Sequence, residues 1–294
     1  MRKLEMILKK IEYLPPFSIT VAKALSLLQN PQVEVDSVAE VIRYDQSVAG
    51  NLLRLCNSSY IGLRRPITNI REAVVFVGLK HLKKILLITG ARPYFEARKP
   101  GYEMRIGELW RHALAVSVIS EQVMGMVGEA DHDSVFLASL FHDIGKLVLS
   151  EFVAREYYTV TSSLTGRNSF LEAERMILGI DHARAGARIL SLWRFPEEIV
   201  TAVGKHHDPW REGDALMDSI VRISDSLALC MGYGTAVDGL AYRGCADLCR
   251  RHGISRDMLD SARANSLDDL KKIEREFGIA TEGGIDVVSD VNRG

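Results

Sequence analysis

Val135-Phe-Leu-Ala-Ser-Leu-Phe-His-Asp-Ile-Gly-Lys-Leu147 is an apolar run interrupted by His142, Asp143 and Lys146. A segment this apolar must be largely buried, and an isolated charge inside it would cost several kcal/mol. His142 and Asp143 therefore need partners: each other, as a structural pair, or further polar groups brought in by the rest of the chain. Two other His-Asp dipeptides read differently. His132-Asp133 lies in a polar approach to a helix start, where capping explains it. His207-Asp208 stands before Pro209 and suits a helix end.

Outward from this run, the apolar spacing is helical almost everywhere. Val21, Leu25 and Leu28 keep i, i+4, i+7 spacing, as do Val48, Leu52 and Leu55, and Leu79, Leu82 and Leu86 keep i, i+3, i+7. Ser37 with Glu40, Asn69 with Glu72 and Ser169 with Glu172 read as capping boxes, and Asp181 and Pro196 as further helix starts. Asn30-Pro31 and Gly90 are expected to stop helices, and Gly78 either to break its pattern or to be tolerated in it. The β-branched run Val74-Val75-Phe76-Val77 sits inside a helical pattern, and no segment alternates long enough for a sheet. The expected fold class is all-α. Two prolines and a glycine between Arg92 and Gly101 are expected to end a helix and divide the chain, and no proline follows from Tyr102 to Phe195. The expected organisation is an N-terminal helical subdomain over 1–98, a helical core over 99–232, and C-terminal helices with a tail over 233–294. About the last dozen residues are expected to fray.

The composition of the 294 residues, 47% hydrophobic and 26% charged, excludes a disordered chain. Thirty-seven basic against 38 acidic residues leave a net charge of −1. That balance removes the case for a nucleic-acid-coating surface. No apolar run approaches the roughly 18–20 residues of a membrane span. Charges interrupt the apolar residues from Met1 to Lys10, so this segment does not read as a signal peptide. Cys56, Cys230, Cys245 and Cys249 lack metal-ribbon spacing and read as free thiols. The expectation is a cytoplasmic protein with neither nucleic acid nor membrane as partner.

The histidines carry the chemistry. His112, His142, His182, His206 and His207, with Asp143 and Asp225, lie in or at the ends of helices that otherwise read as core. The small residues after His182 (Ala183, Gly186 and Ala187) allow another helix close approach. His206 and His207 can reach one site only near a helix end, because neighbours on a helix point about 100° apart. Imidazole with carboxylate suits first-row ions such as Fe, Mn, Co, Ni and Zn. Seven such groups exceed what one tetrahedral ion takes and suit two ions sharing a carboxylate.

In this order the seven residues, with Ile144-Gly145-Lys146, resemble the metal-binding signature of the HD superfamily of phosphohydrolases. They are most similar to its HD-GYP phosphodiesterases. The first half adds a resemblance to HDOD domains, helical bacterial signalling modules related to HD proteins. It rests on Leu14-Pro-Pro-Phe17, Tyr44-Asp45-Gln-Ser-Val48, Leu53-Arg-Leu-Cys-Asn-Ser-Ser-Tyr60, Ile70-Arg-Glu-Ala73 and Val77-Gly78-Leu79, and the likeness spans about residues 8–232. The resemblance implies two divalent ions, iron or manganese foremost, with nickel, cobalt or zinc as alternatives. One ion would take His112, His142, Asp143 and Asp225, and the other Asp143 as bridge with His182, His206 and His207. Glu108 matches a position used for a third ion in related proteins, or is a surface glutamate.

Such a site would activate a water and hold a phosphate oxygen. Asp143 and Lys146 are the catalytic candidates. Lys146 would either neutralise phosphate charge over the ions or form a helix salt bridge with Asp143. Arg184 and Lys205 are further phosphate candidates or ordinary solvated side chains. HDOD domains are commonly regarded as non-catalytic scaffolds with the HD residues partly lost, whereas here the whole set is present. The GYP element is absent, its place taken by Asp208-Pro-Trp-Arg-Glu-Gly-Asp214. The resemblance thus implies a metal-dependent phosphohydrolase acting on a nucleotide or cyclic dinucleotide phosphodiester. Its alternative is a signalling scaffold that binds partner proteins around a structural or sensory metal.

Overall fold

The computed structural model describes residues 2–277 apart from 31, 58–62, 64, 129–131, 165–168 and 235–244. Among the described residues the chain is all-α, and the only β feature is one isolated bridge between Lys99 and Met104. No described helix is long and apolar enough to cross a membrane. The tail expected to fray and the Pro31 stop lie outside the described residues.

The first helices are α1 (Arg2–Glu12), α2 (Ile19–Leu27), α3 (Val35–Arg43), α4 (Gln46–Cys56), α5 (Ile70–Val77) and α6 (Leu79–Phe95). Val48, Leu52 and Leu55 of α4 are buried, as their spacing requires. Asn69 caps α5 by accepting a hydrogen bond from the Glu72 amide at 2.8 Å. Gly78 parts α5 from α6 at φ 77°, a conformation costly for a residue with a Cβ.

Two expectations fail here. The helix expected to start at Ser37 begins at Val35, after Glu34, whose side chain makes no cap bond. Gly90 does not end α6; a Cβ there would meet the Phe17 ring at 2.9 Å, so the glycine is a notch that receives Phe17. The helix does end within the expected break, at Phe95, two residues beyond Pro93. Contacts from outside the helix hold its last turn, where Tyr94 donates to the Pro16 carbonyl at 2.8 Å and Phe95 is fully buried, and within it Arg92 pairs with Glu96 at 2.6 Å.

The centre is α7 (Glu108–Met126), apolar on every side and therefore enclosed. Around it stand α8 (His132–Phe141), α9 (Lys146–Arg155), α10 (Tyr157–Ser163), α11 (Phe170–Leu178), α12 (His182–Leu192), α13 (Glu197–Lys205) and α14 (Leu216–Cys230). The short α15 (Ala246–Arg251) follows, and α16 (Arg256–Phe277) packs along α7. Ser169 and Glu172 form the expected capping box on α11, and Asp181 caps α12 through the Arg184 amide at 2.7 Å. Pro196 is itself the N-cap of α13.

Phe17 joins the two halves. Its ring lies 5.7 Å from Phe141 of α8, 6.0 Å from Trp193 and 5.6 Å from Phe195, within aromatic pairing range. The helix α1 packs on α9 and α12 through buried Ile7 and Ile11, flanked by the pairs Lys3–Glu156 and Lys10–Glu151.

Candidate metal centre

The close approach of α12 to α9 decides where the polar groups meet. A Cβ on Gly145 would lie 1.9 Å from the His182 carbonyl, and one on Gly186 would lie 3.3 Å from the Gly145 amide nitrogen. Only glycine lets the turn at 142–145 sit directly on the first turn of α12. The small residues noted after His182 thus have the role their size suggested. His112 enters from α7, Asp225 from α14, and His206 and His207 from the C-terminal end of α13.

The structure brings all seven residues together. Six are buried, and His207 is half-buried. Asp143 sits in the middle with its two oxygens facing different groups. Oδ2 lies 3.5 Å from His112 Nε2 and 3.4 Å from His142 Nε2, while Oδ1 lies 3.5 Å from His182 Nε2 and 4.0 Å from His206 Nε2. Asp225 Oδ1 lies 3.2 Å from His112 Nε2. The Nε2 atoms of His112 and His142 are 3.2 Å apart, and those of His182 and His207 are 3.0 Å apart. Two nitrogens bound to one ion at about 2.1 Å would stand about 3 Å apart at a right angle. His112, His142 and Asp225 form one such cluster, and His182, His206 and His207 another.

The other ring nitrogens fix how the imidazoles face. Nδ1 of His142 bonds the Ser139 carbonyl at 2.7 Å, that of His206 the Val203 carbonyl at 2.6 Å, and that of His112 the Tyr233 carbonyl at 3.1 Å. Nδ1 of His182 bonds Glu174 Oε2 at 2.8 Å. A carbonyl can only accept, so the first three rings carry their proton on Nδ1, and Nε2 is left as the ligand atom. His206 Nε2 and Asp143 Oδ1 are buried without a hydrogen-bond partner. Orphaned acceptors in an imidazole–carboxylate cluster fit divalent metal, whose bonds would satisfy both.

The charges agree. Burial and the neighbouring His142 and His182 push His206 down to about 3, so its ring is neutral. Burial, aided by His206 and His182, also holds His207 well below its ordinary value. For Asp143, burial works upward, but Lys146 and His142 overcome it and hold the carboxyl well below the usual range. Burial would lower His182, yet Glu174 lifts it to about 9. In the same way Asp225 overrides burial and raises His112.

Lys146 is buried at the start of α9 and bonds Asp143 Oδ2 at 2.7 Å, with its ammonium 5.4 Å from the Tyr102 ring centre. The salt bridge anticipated from the i, i+3 spacing is therefore present, inside the site. Glu108, the first residue of α7, accepts from the Arg105 amide at 2.7 Å and is in none of the clusters able to hold an ion. Arg184 pairs with Asp208, and Lys205 pairs with Asp214 at 2.8 Å. Asp133 pairs with Lys83, away from the centre.

The sequence reading missed Glu174 and Tyr102. Glu174 is fully buried; its Oε2 accepts from both Nδ1 and the backbone amide of His182, and its Oε1 accepts from the Tyr102 hydroxyl. Its signal was position: Glu174 is four residues from both Phe170 and Leu178, on the buried face of α11.

Over 201 residues the chain is 23% identical to an uncharacterized protein of Treponema pallidum (strain Nichols), covering 68% of this chain and 38% of that protein. It thus spans well under half the length of the curated relative it matches. Two solved structures share the fold. An HDOD domain protein of unknown function from Geobacter sulfurreducens aligns with TM-score 0.71 and 22% identity, over 95% of this chain and 98% of that one. A protein described as a candidate metal-dependent phosphohydrolase, from Shewanella amazonensis SB2B, aligns with TM-score 0.61 and 21% identity, over 94% and 100%. The family profile of the HDOD domain matches residues 14–209, well over half of the chain, and the protein belongs to the HDOD domain family.

Proposed function

We propose that this HDOD protein holds two divalent ions and hydrolyses a nucleotide or cyclic dinucleotide phosphodiester as part of a signalling system. The observation that carries the reading is the placement of Asp143, whose two oxygens face two separate groups of imidazole nitrogens. His112, His142 and Asp225 would hold one ion, and His182, His206 and His207 the other, with Asp143 between them. The description of the Shewanella structure as a candidate metal-dependent phosphohydrolase supports the same chemistry.

Ions bound there supply Lewis-acid charge and an activated water. The chain's own part is to orient and neutralise. The outward Nδ1 bonds of His112, His142, His182 and His206 keep those imidazoles aimed inward, so little reorganisation is needed when substrate arrives. Asp143 stays ionised because Lys146 and His142 oppose the effect of burial. Lys146 exchanges its bond with Asp143 for a phosphate oxygen as negative charge builds there, and the ring of Tyr102 bounds its movement.

The test is metal content of the purified protein beside a His142→Ala, Asp143→Ala double variant, followed by a phosphodiester screen in manganese and iron. The expected result is about two ions per chain in the parent and none in the variant, with cleavage that follows the metal. Metal without turnover of any diester would overturn the enzyme reading in favour of a signalling scaffold with structural or sensory metal.

A further inference from the structure

Beside the second group of imidazoles, two arginines from different helices close on one carboxylate. Asp208 directly follows His207. Its Oδ1 lies 3.4 Å from Arg175 Nη2 of α11, and its Oδ2 pairs with Arg184 Nη2 of α12. The arginines are held from behind. Arg175 Nε pairs with Asp181, whose side chain is fully buried and whose Oδ1 caps α12 through the Arg184 amide at 2.7 Å. The Arg184 guanidinium runs over Gly204 of α13, where an added Cβ would stand 3.7 Å from it. Arg222 of α14 donates to the backbone carbonyl of Asp208 at 2.7 Å, so the Asp208 side chain can turn away without displacing His207.

We infer that Arg175 and Arg184 form a clamp for a second phosphate of the substrate, next to the metal centre, and that Asp208 is its internal occupant. This rests on the phosphodiester reading above and adds to it the substrate class: a nucleotide carrying an anionic phosphate besides the diester at the ions. Two guanidinium groups meeting on the two oxygens of one oxyanion suit a phosphate at least as well as a carboxylate. Both arginine side chains remain over 40% exposed, so a ligand can reach them. Both pairs reach solvent on the arginine side, where ion pairs contribute little stability, so a phosphate can displace Asp208. A dianionic phosphate offers more charge and more acceptor oxygens than the carboxylate it replaces.

The experiment measures binding to metal-loaded protein of a phosphorothioate-linked ribodinucleotide, which resists hydrolysis, with and without a 5′-phosphate. The expected gain from the 5′-phosphate is about tenfold in the parent, the size of one charge-assisted contact. It should disappear in an Arg175→Gln, Arg184→Gln variant that keeps the metal content of the parent, even where loss of the Arg175–Asp181 pair lowers the melting temperature, and grow several-fold in Asp208→Asn. Equal binding of the two dinucleotides to the parent, or a gain that persists in the double arginine variant, overturns the clamp and leaves the metal-centre reading standing. If neither dinucleotide binds the metal-loaded parent, the phosphodiester reading falls and the clamp with it.

Discussion

Glu174 holds His182 twice through a single oxygen: Oε2 accepts the ring Nδ1–H at 2.8 Å and the backbone N–H at 2.9 Å. The first bond fixes which nitrogen of the ring is free, and the second fixes where α12 begins. Such support usually accounts for about 10–100-fold in metal affinity. Glu174→Gln should therefore lower affinity by about that factor for one ion and leave the other near its parental value. Stepwise metal titration would show this, and an equal loss at both ions would contradict it.

Gly145 is where the turn bearing His142 and Asp143 touches α12. In Gly145→Ala the new methyl would meet the His182 carbonyl at 1.9 Å, a backbone atom that cannot turn aside. The helices must separate, at a cost of roughly 3 kcal/mol, and the two faces of Asp143 separate with them. Denaturant melts should show the loss, with weakened metal uptake. Gly50→Ala is the control, since a Cβ there meets nothing within 4 Å.

Asn57 gives the Leu53-Arg-Leu-Cys-Asn stretch its role. Its amide donates to the Leu53 and Ile67 carbonyls at 2.9 and 2.7 Å, and its Oδ1 accepts from the Ile67 amide at 2.8 Å. One side chain thus ties the end of α4 to the approach to α5. Asn57→Ala should cost about 1–3 kcal/mol. Hydrogen exchange would report the loss in α4 and α5, with metal binding retained.

Lys99 is a buried cation whose ammonium donates to the Ala97 carbonyl at 2.6 Å. Burial lowers it to about 8 from an ordinary 10.5. Between those values the unfolded chain binds more protons than the folded one, so stability should rise with pH across that interval and level off below about 8. Lys99→Met should remove this slope in urea melts from pH 7.5 to 10.5. An unchanged slope would place its origin elsewhere.

The site was legible because buried His and Asp stand out in apolar helices, and each of the seven was visible as an exception to its surroundings. Glu174 was not, because an acid between Ala173 and Arg175 reads as surface until the buried face of α11 is traced. The end of α6 was misread for a related reason. Gly90 is a breaker by local propensity, and what overrides it is Phe17, some seventy residues earlier in the chain. Glu34 was passed over as a helix start because Ser37 offers the better local signal.

The two imidazole groups differ in how closely they approach solvent. His112, His142 and Asp225 are all closed off, while the other group includes half-buried His207. Were the two proposed ions bound, the one beside His207 would lie nearer solvent than the one among His112, His142 and Asp225. A chelator should accordingly strip the protein in two kinetic phases, the fast one belonging to the ion beside His207.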